Sequence, residues 1–128
     1  MTDLILFWHR RDLRVADNVG LAAARECSAK LVGVFCLDPN ILERDDLAPA
    51  RVTYMIGCLQ SLQERYQEAG SQLLILHQDP AEGLPRLAKT LDAKAVFWNR
   101  DVEPYGVGRD RNLQATLIDQ GIQVETFW

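Results

Sequence analysis

The stretch "LILFWHRRDLRVADN", Leu4 to Asn18, sets a short unbroken apolar run directly against a block of charge. An apolar run of that length, Leu4 to Trp8, suits a strand covered on both faces, and it is too short for a signal-peptide core or a membrane span. The same pattern recurs in "KLVGVFCL" (30–37), "LLIL" (73–76), "AVFW" (95–98) and "VETFW" (124–128). Five strands are therefore expected.

The stretches between the runs change to helical period. "NVGLAAARECS" carries Val19, Leu21 to Ala24 and Cys27, and 50–69 places Val52, Met55, Ile56, Leu59, Leu62 and Tyr66 on one stripe, closed by Gly70. Two further helices are expected over 80–91 and 109–120, with Pro80 near a start and Gly121 just past an end. Strands alternating with helices, joined by right-handed crossovers, predict an α/β fold: a Rossmann-like, doubly wound, five-stranded parallel sheet with flanking helices. At 128 residues one domain spanning 1–128 accounts for the chain.

Composition narrows the functional classes. With 48% apolar and 25% charged residues the chain is an ordinary globular one, without low-complexity tracts or internal repeats. Fourteen basic against 18 acidic residues give a net charge of −4, which argues against a large phosphate-binding surface and leaves room for a local basic patch. Cys27, Cys36 and Cys58 are odd in number and show neither C-x-x-C nor zinc-finger spacing. Reduced thiols and a cytoplasmic location are the expectation.

In a doubly wound sheet, ligands sit beyond the carboxyl ends of the strands, near the point where strand order reverses. The informative loops are thus "HRRDLRVADN", "DPNILERDDLAPAR" and "NRDVEPYGVGRD", which hold the densest charge in the chain. No G-x-G-x-x-G follows the first strand and no Gly-Lys-Ser or Gly-Lys-Thr is present, so neither a dinucleotide fingerprint nor a P-loop is encoded. The lone G-x-G, Gly106 to Gly108, reads as a turn. His9 and His77 have no ligand partners at metal spacing, and Cys36 has no evident partner base, so no metal site and no nucleophilic catalytic residue is assigned.

Three features remain open to a ligand. Arg10, Arg11 and Arg14 around Asp12 form either an anion site or a structural ion pair, the second being the plainer reading. Asp17 or Asn18 suits a helix cap. Arg51, Tyr54 or Met55, and Cys58 share one side of the long helix, and Asp101 and Glu103, two residues apart in an extended segment, point the same way. Such acids either rim an apolar pocket for a flat heteroaromatic ligand or pair with Arg100, Arg109 or Arg111 at the surface.

The segments "ILFWHRRDLRVADNVGLAAA", "GVFCLDPNIL", "APARVTYMIGCLQSL" and "FWNRDVEPYGVGRDR" resemble the amino-terminal α/β domain of the photolyase and cryptochrome family over the entire chain. Two signatures carry the resemblance, W-x-R-x-D-L-R-x-x-D-N and W-N-x-D-x-E-P-Y-x-x-x-R-D, and the likeness is strongest to cyanobacterial cyclobutane-dimer photolyases with an 8-hydroxy-5-deazaflavin antenna. It implies a light-harvesting domain that passes excitation to reduced FAD in a separate helical domain, which repairs pyrimidine dimers in DNA. Nothing in these residues corresponds to that domain, so the segment alone is not expected to be catalytic, and its end on an apolar run suggests an excised domain. By the resemblance, Phe35, Cys36 and Asp38 line one side of the antenna site, Leu47, Arg51, Tyr54, Met55 and Cys58 the helix side, and Asp101 and Glu103 the hydrogen-bonding rim. Methenyltetrahydrofolate or FMN are the other antennas the family implies. A cryptochrome-type signalling domain and a free-standing nucleotide-binding module are the competing functions; no membrane partner is expected.

Overall fold

The computed structural model describes residues 4–9, 19–27, 30–37, 49–100 and 104–127. The elements are β1 (Leu4–His9), α1 (Val19–Cys27), β2 (Lys30–Cys36), α2 (Pro49–Glu68), β3 (Leu73–Leu76), α3 (Pro80–Thr90), β4 (Ala95–Asn99), α4 (Pro104–Asp119) and β5 (Gln123–Phe127). The strands form one parallel sheet in the order β3-β2-β1-β4-β5. Strand order reverses between β1 and β4, so the carboxyl ends of those two strands and of β2 mark the place where this topology puts a ligand.

Alternation along β1 decides the two layers. Ile5 and Phe7 face one side, where Leu21 and Ala24 of α1 and Leu59, Leu62 and Tyr66 of α2 cover them. Leu6 and Trp8 face the other, against Leu84 and Ala88 of α3 and Leu113 and Leu117 of α4. Every residue from Ile5 to His9 is buried, because β1 is central and both of its faces are covered. The edge strands β3 and β5 are only partly covered.

One close approach locks α2 to the sheet. Gly33 pairs in register with Phe7, and a Cβ there would lie 2.5 Å from Tyr66 Cζ and 2.6 Å from its hydroxyl. Only glycine leaves room for the ring. The Tyr66 hydroxyl, lying across Gly33, shares a buried 2.6 Å hydrogen bond with His9 Nε2, and the two rings meet edge to face. His9, at a strand end with no metal partners in the sequence, thus acts as a structural anchor between β1 and α2.

Helix ends follow local chemistry. Asp79 Oδ1 accepts the Ala81 N–H at 2.9 Å and Pro80 takes the first helical position of α3. Gly70 (φ 80°) and Gly121 (φ 78°) close α2 and α4 in the left-handed region. Two sequence expectations are corrected. The last helix starts at Pro104 rather than Arg109, so the supposed turn at Gly106 and Gly108 is helical: proline at a first helical position fixes φ for entry, and the glycines do not outweigh it. Ile56, assigned to the buried stripe of α2, is 48% exposed, since it falls at the stripe's edge beside Met55 and Leu59.

On the outer side of α2, Gly57 is exposed, and a Cβ added there would meet nothing within 4 Å. Gly57→Ala is therefore expected to stabilise the protein by about 1 kcal/mol, through helix propensity alone. A urea midpoint that rises with an unchanged slope is the confirming result; a lower midpoint would mean that something needs the bare backbone here.

Candidate functional site

Asn99 closes the crevice where strand order reverses. It ends β4, and its Oδ1 accepts the backbone N–H of Gly20 at 2.9 Å, which satisfies one of the orphan donors at the start of α1. Gly20 sits so tightly that a Cβ would lie 2.5 Å from Asn99 Oδ1 and 2.8 Å from the Phe7 ring. The first turn of α1 is thereby pinned over the carboxyl ends of β1 and β4. Asn99→Ala is expected to cost about 1–2 kcal/mol, chiefly from the unpaired Gly20 N–H; an unchanged denaturation midpoint would contradict this role. Beside it, the Arg100 N–H donates to Phe127 O at 2.6 Å and Arg100 Nε donates to Thr126 Oγ1 at 2.8 Å, carrying the β4–β5 ladder one step further.

On the α3/α4 side of the same end, Trp8 and Trp98 pack edge to face with centroids 5.4 Å apart. The Arg109 guanidinium lies 5.5 Å from the Trp8 ring centroid, close enough for a cation–π contact. Trp8 belongs to the first sequence signature and Trp98, Asn99 and Arg109 to the second. The described members of the two signatures thus meet at one end of adjacent strands, where Trp8, Trp98, Asn99 and Arg109 pack and cap. The Trp98 Nε1–H is buried with no acceptor among the described residues.

The expected antenna residues divide by face. Phe35 is buried in the α1/α2 layer, and Met55 and Leu37 are half-buried against that same cluster, beside α2 at the carboxyl end of β2. Cys58, one turn further along α2, is half-buried with a free thiol. Cys36 is also buried and outside any disulfide, but strand alternation sends its side chain into the opposite layer, with Trp8, Val34 and Leu84. Its side chain therefore does not share a wall with Phe35. Tyr54 is 76% exposed and points away from the core. Arg51 occupies the first turn of α2, its side chain outside the described residues, as are Asp38, Leu47, Asp101 and Glu103.

What the described residues form is an apolar wall of Phe35, Leu37 and Met55 at the carboxyl end of β2, flanked by the start of α2. Sequence reasoning missed His9–Tyr66 and Gly20–Asn99, whose partners lie 57 and 79 residues apart. A glycine inside a strand, Gly33, was the one available signal for the first. Among the described residues no group of three or more His, Cys, Asp or Glu side chains is placed to hold a metal, and no helix is long and apolar enough to cross a membrane.

A sequence model of the DNA photolyase family matches residues 5–128. This chain belongs to the DNA photolyase family. A deoxyribodipyrimidine photo-lyase from a Synechococcus species is 60% identical over 97% of this chain, which covers 26% of that relative. The corresponding protein of Halobacterium salinarum is 42% identical over 95% of the chain and 27% of its own length. The chain thus spans about a quarter of the photolyases it matches.

Solved structures agree on the photolyase architecture. A Synechocystis cryptochrome superposes with a TM-score of 0.92 at 28% identity, over 98% of this chain and 27% of the other. An archaeal photolyase from Sulfolobus tokodaii, described with two FAD molecules and a novel light-harvesting cofactor, gives 0.87 at 27% identity, over 97% of this chain and 29% of the other. The five-stranded parallel sheet and its flanking helices are thus the arrangement shared by these photolyase-family proteins.

Proposed function

We propose that this chain is the antenna-chromophore-binding domain of a deoxyribodipyrimidine photolyase, with 8-hydroxy-5-deazaflavin as the chromophore. The observation that carries this reading is the position of Phe35 and Met55 in one apolar cluster, at the carboxyl end of β2 and against α2. A flat heteroaromatic ring needs an apolar wall and a few convergent polar groups at its rim. Phe35, Leu37 and Met55 provide the first. Arg51, one turn before Met55 on α2, and Asp38, Asp101 and Glu103 after the strands are the rim in this reading. Leu47, which precedes α2 in sequence, and Tyr54 and Cys58 on it are the remaining helix-side residues of this reading, and Cys36 contributes through its backbone.

The chromophore, when bound, supplies absorption of blue or near-ultraviolet light and excitation transfer to reduced FAD in the parent protein's helical domain. This chain's own residues bind it, orient it and set its charge state. An arginine at the rim favours the ionised ring hydroxyl, because a neighbouring positive charge stabilises the anion. In this reading repair of cyclobutane pyrimidine dimers in DNA belongs to the parent enzyme. The 60% identity to a named photolyase supports that over the signalling role of cryptochromes, to which the structural likeness comes at 28% identity.

The test is a fluorescence titration of the chain with 8-hydroxy-5-deazaflavin, methenyltetrahydrofolate and FMN in parallel. The deazaflavin is expected to bind saturably and most tightly. Tighter binding of either other chromophore would overturn the antenna assignment, and saturable binding of none would overturn the antenna function itself.

A further inference from the structure

At the opposite end of the sheet from the antenna wall, the short α1 and the long α2 leave a gap over the amino ends of β1 and β2. The gap is a cavity of about 830 Å³, which lies within the roughly 300–1,000 Å³ range of small-molecule sites. Leu4, Leu21 and Leu31 are among its apolar lining, and Arg25, Lys30 and Arg65 stand around it. No carboxylate lines it among the described residues. A protein of net charge −4 thus gathers three cations at one concave place.

Arg25 and Arg65 each lie in the last turn of a helix, where a cation complements the macrodipole. That role does not account for the cluster. The end of α2 is already closed by backbone donors: Ala69 N–H to Arg65 O, Gly70 N–H to Gln67 O and Ser71 N–H to Tyr66 O, while the Ser71 hydroxyl donates to Leu31 O. Neither guanidinium makes a hydrogen bond or ion pair with any described residue, and both are exposed. The two guanidinia beside an apolar-floored cavity provide planar, charge-assisted donors for phosphate, the Lys30 ammonium adds positive charge near them, and the leucines offer a surface for an uncharged group.

We infer that this cavity is a second binding site, for a phosphate-bearing small molecule of nucleotide size, independent of the antenna site. A bare phosphate would leave most of the cavity and its leucines uncovered. Duplex DNA is disfavoured, because three cations in a recess fall short of the extended row of phosphate contacts, about 6–10, that a duplex-binding surface commonly makes.

The test is amide NMR of the chain titrated separately with ADP, inorganic phosphate and a 20-base-pair duplex. ADP is expected to shift the amides of Leu31, Val32, Gly70 and Ser71 saturably, more tightly than phosphate does. The Arg25→Gln/Arg65→Gln variant, altered only at exposed positions, should keep the parent's spectrum and lose at least about tenfold in ADP affinity, given what charged hydrogen bonds contribute. Absence of shifts, shifts confined to Phe35 and Met55, equal affinity in the variant, equal affinity for bare phosphate, or tighter binding of the duplex at these amides would each overturn the inference.

Discussion

Gly33→Ala is expected to lower the unfolding free energy by about 3 kcal/mol and the melting temperature by about 10 °C, a large effect for one methyl group. The added Cβ would fall 2.5 Å from Tyr66 Cζ, 2.6 Å from the hydroxyl and 2.9 Å from Leu73 Cδ1. None of these neighbours yields easily. Tyr66 and Leu73 are both buried, and the ring cannot retreat without breaking its 2.6 Å bond to His9. Overpacking and an unmade buried hydrogen bond therefore act together.

The mechanism predicts a coupling as well as a loss. Tyr66→Ala alone empties a buried site, yet it also removes the atoms that a Cβ at position 33 would strike. The double variant should therefore be less destabilised than the sum of the two singles, by at least about 1 kcal/mol. Strict additivity in guanidinium unfolding would contradict the close approach of β2 and α2. Because this contact fixes α2 over β2, it also fixes where Met55 meets the cluster containing Phe35.

The second large effect concerns the antenna. Arg51→Ala is expected to weaken 8-hydroxy-5-deazaflavin binding by about tenfold to a hundredfold, the worth of a charge-assisted hydrogen bond lost from a buried ligand. It should also raise the pKa of the ring hydroxyl, since the cation favouring the anion is gone, and move the bound spectrum toward the neutral form. Asp101→Asn should weaken binding comparably without that spectral change. Both variants should fold. Unchanged affinity in both, with parental circular dichroism, would return these residues to surface ion pairing.

The sheet was legible because each strand is a short apolar run bounded by charge, and β3 at Leu73–Leu76 matches its run to the residue. The stripe of α2 was legible through Leu59, Leu62 and Tyr66, all buried. Faces were harder. The adjacent Phe35 and Cys36 look alike as apolar neighbours in sequence, yet the pleat sends them into opposite layers. The start of α4 was misplaced because glycines in "PYGVG" suggested a turn more strongly than Pro104 suggested a first helical position. His9–Tyr66 and Gly20–Asn99 depend on how a helix settles on the sheet, which no local pattern encodes.

The central claim is that a flat chromophore lies against α2 at the carboxyl end of β2. Amide NMR of the chain with and without saturating 8-hydroxy-5-deazaflavin tests it most directly. Shifts should concentrate at Phe35 to Leu37 and Met55 to Leu59, while Leu113 and Leu117 across the sheet and Leu31 and Ser71 at its amino end stay in place. Shifts centred on α3 and α4, or a spectrum unchanged by the chromophore, would contradict the account.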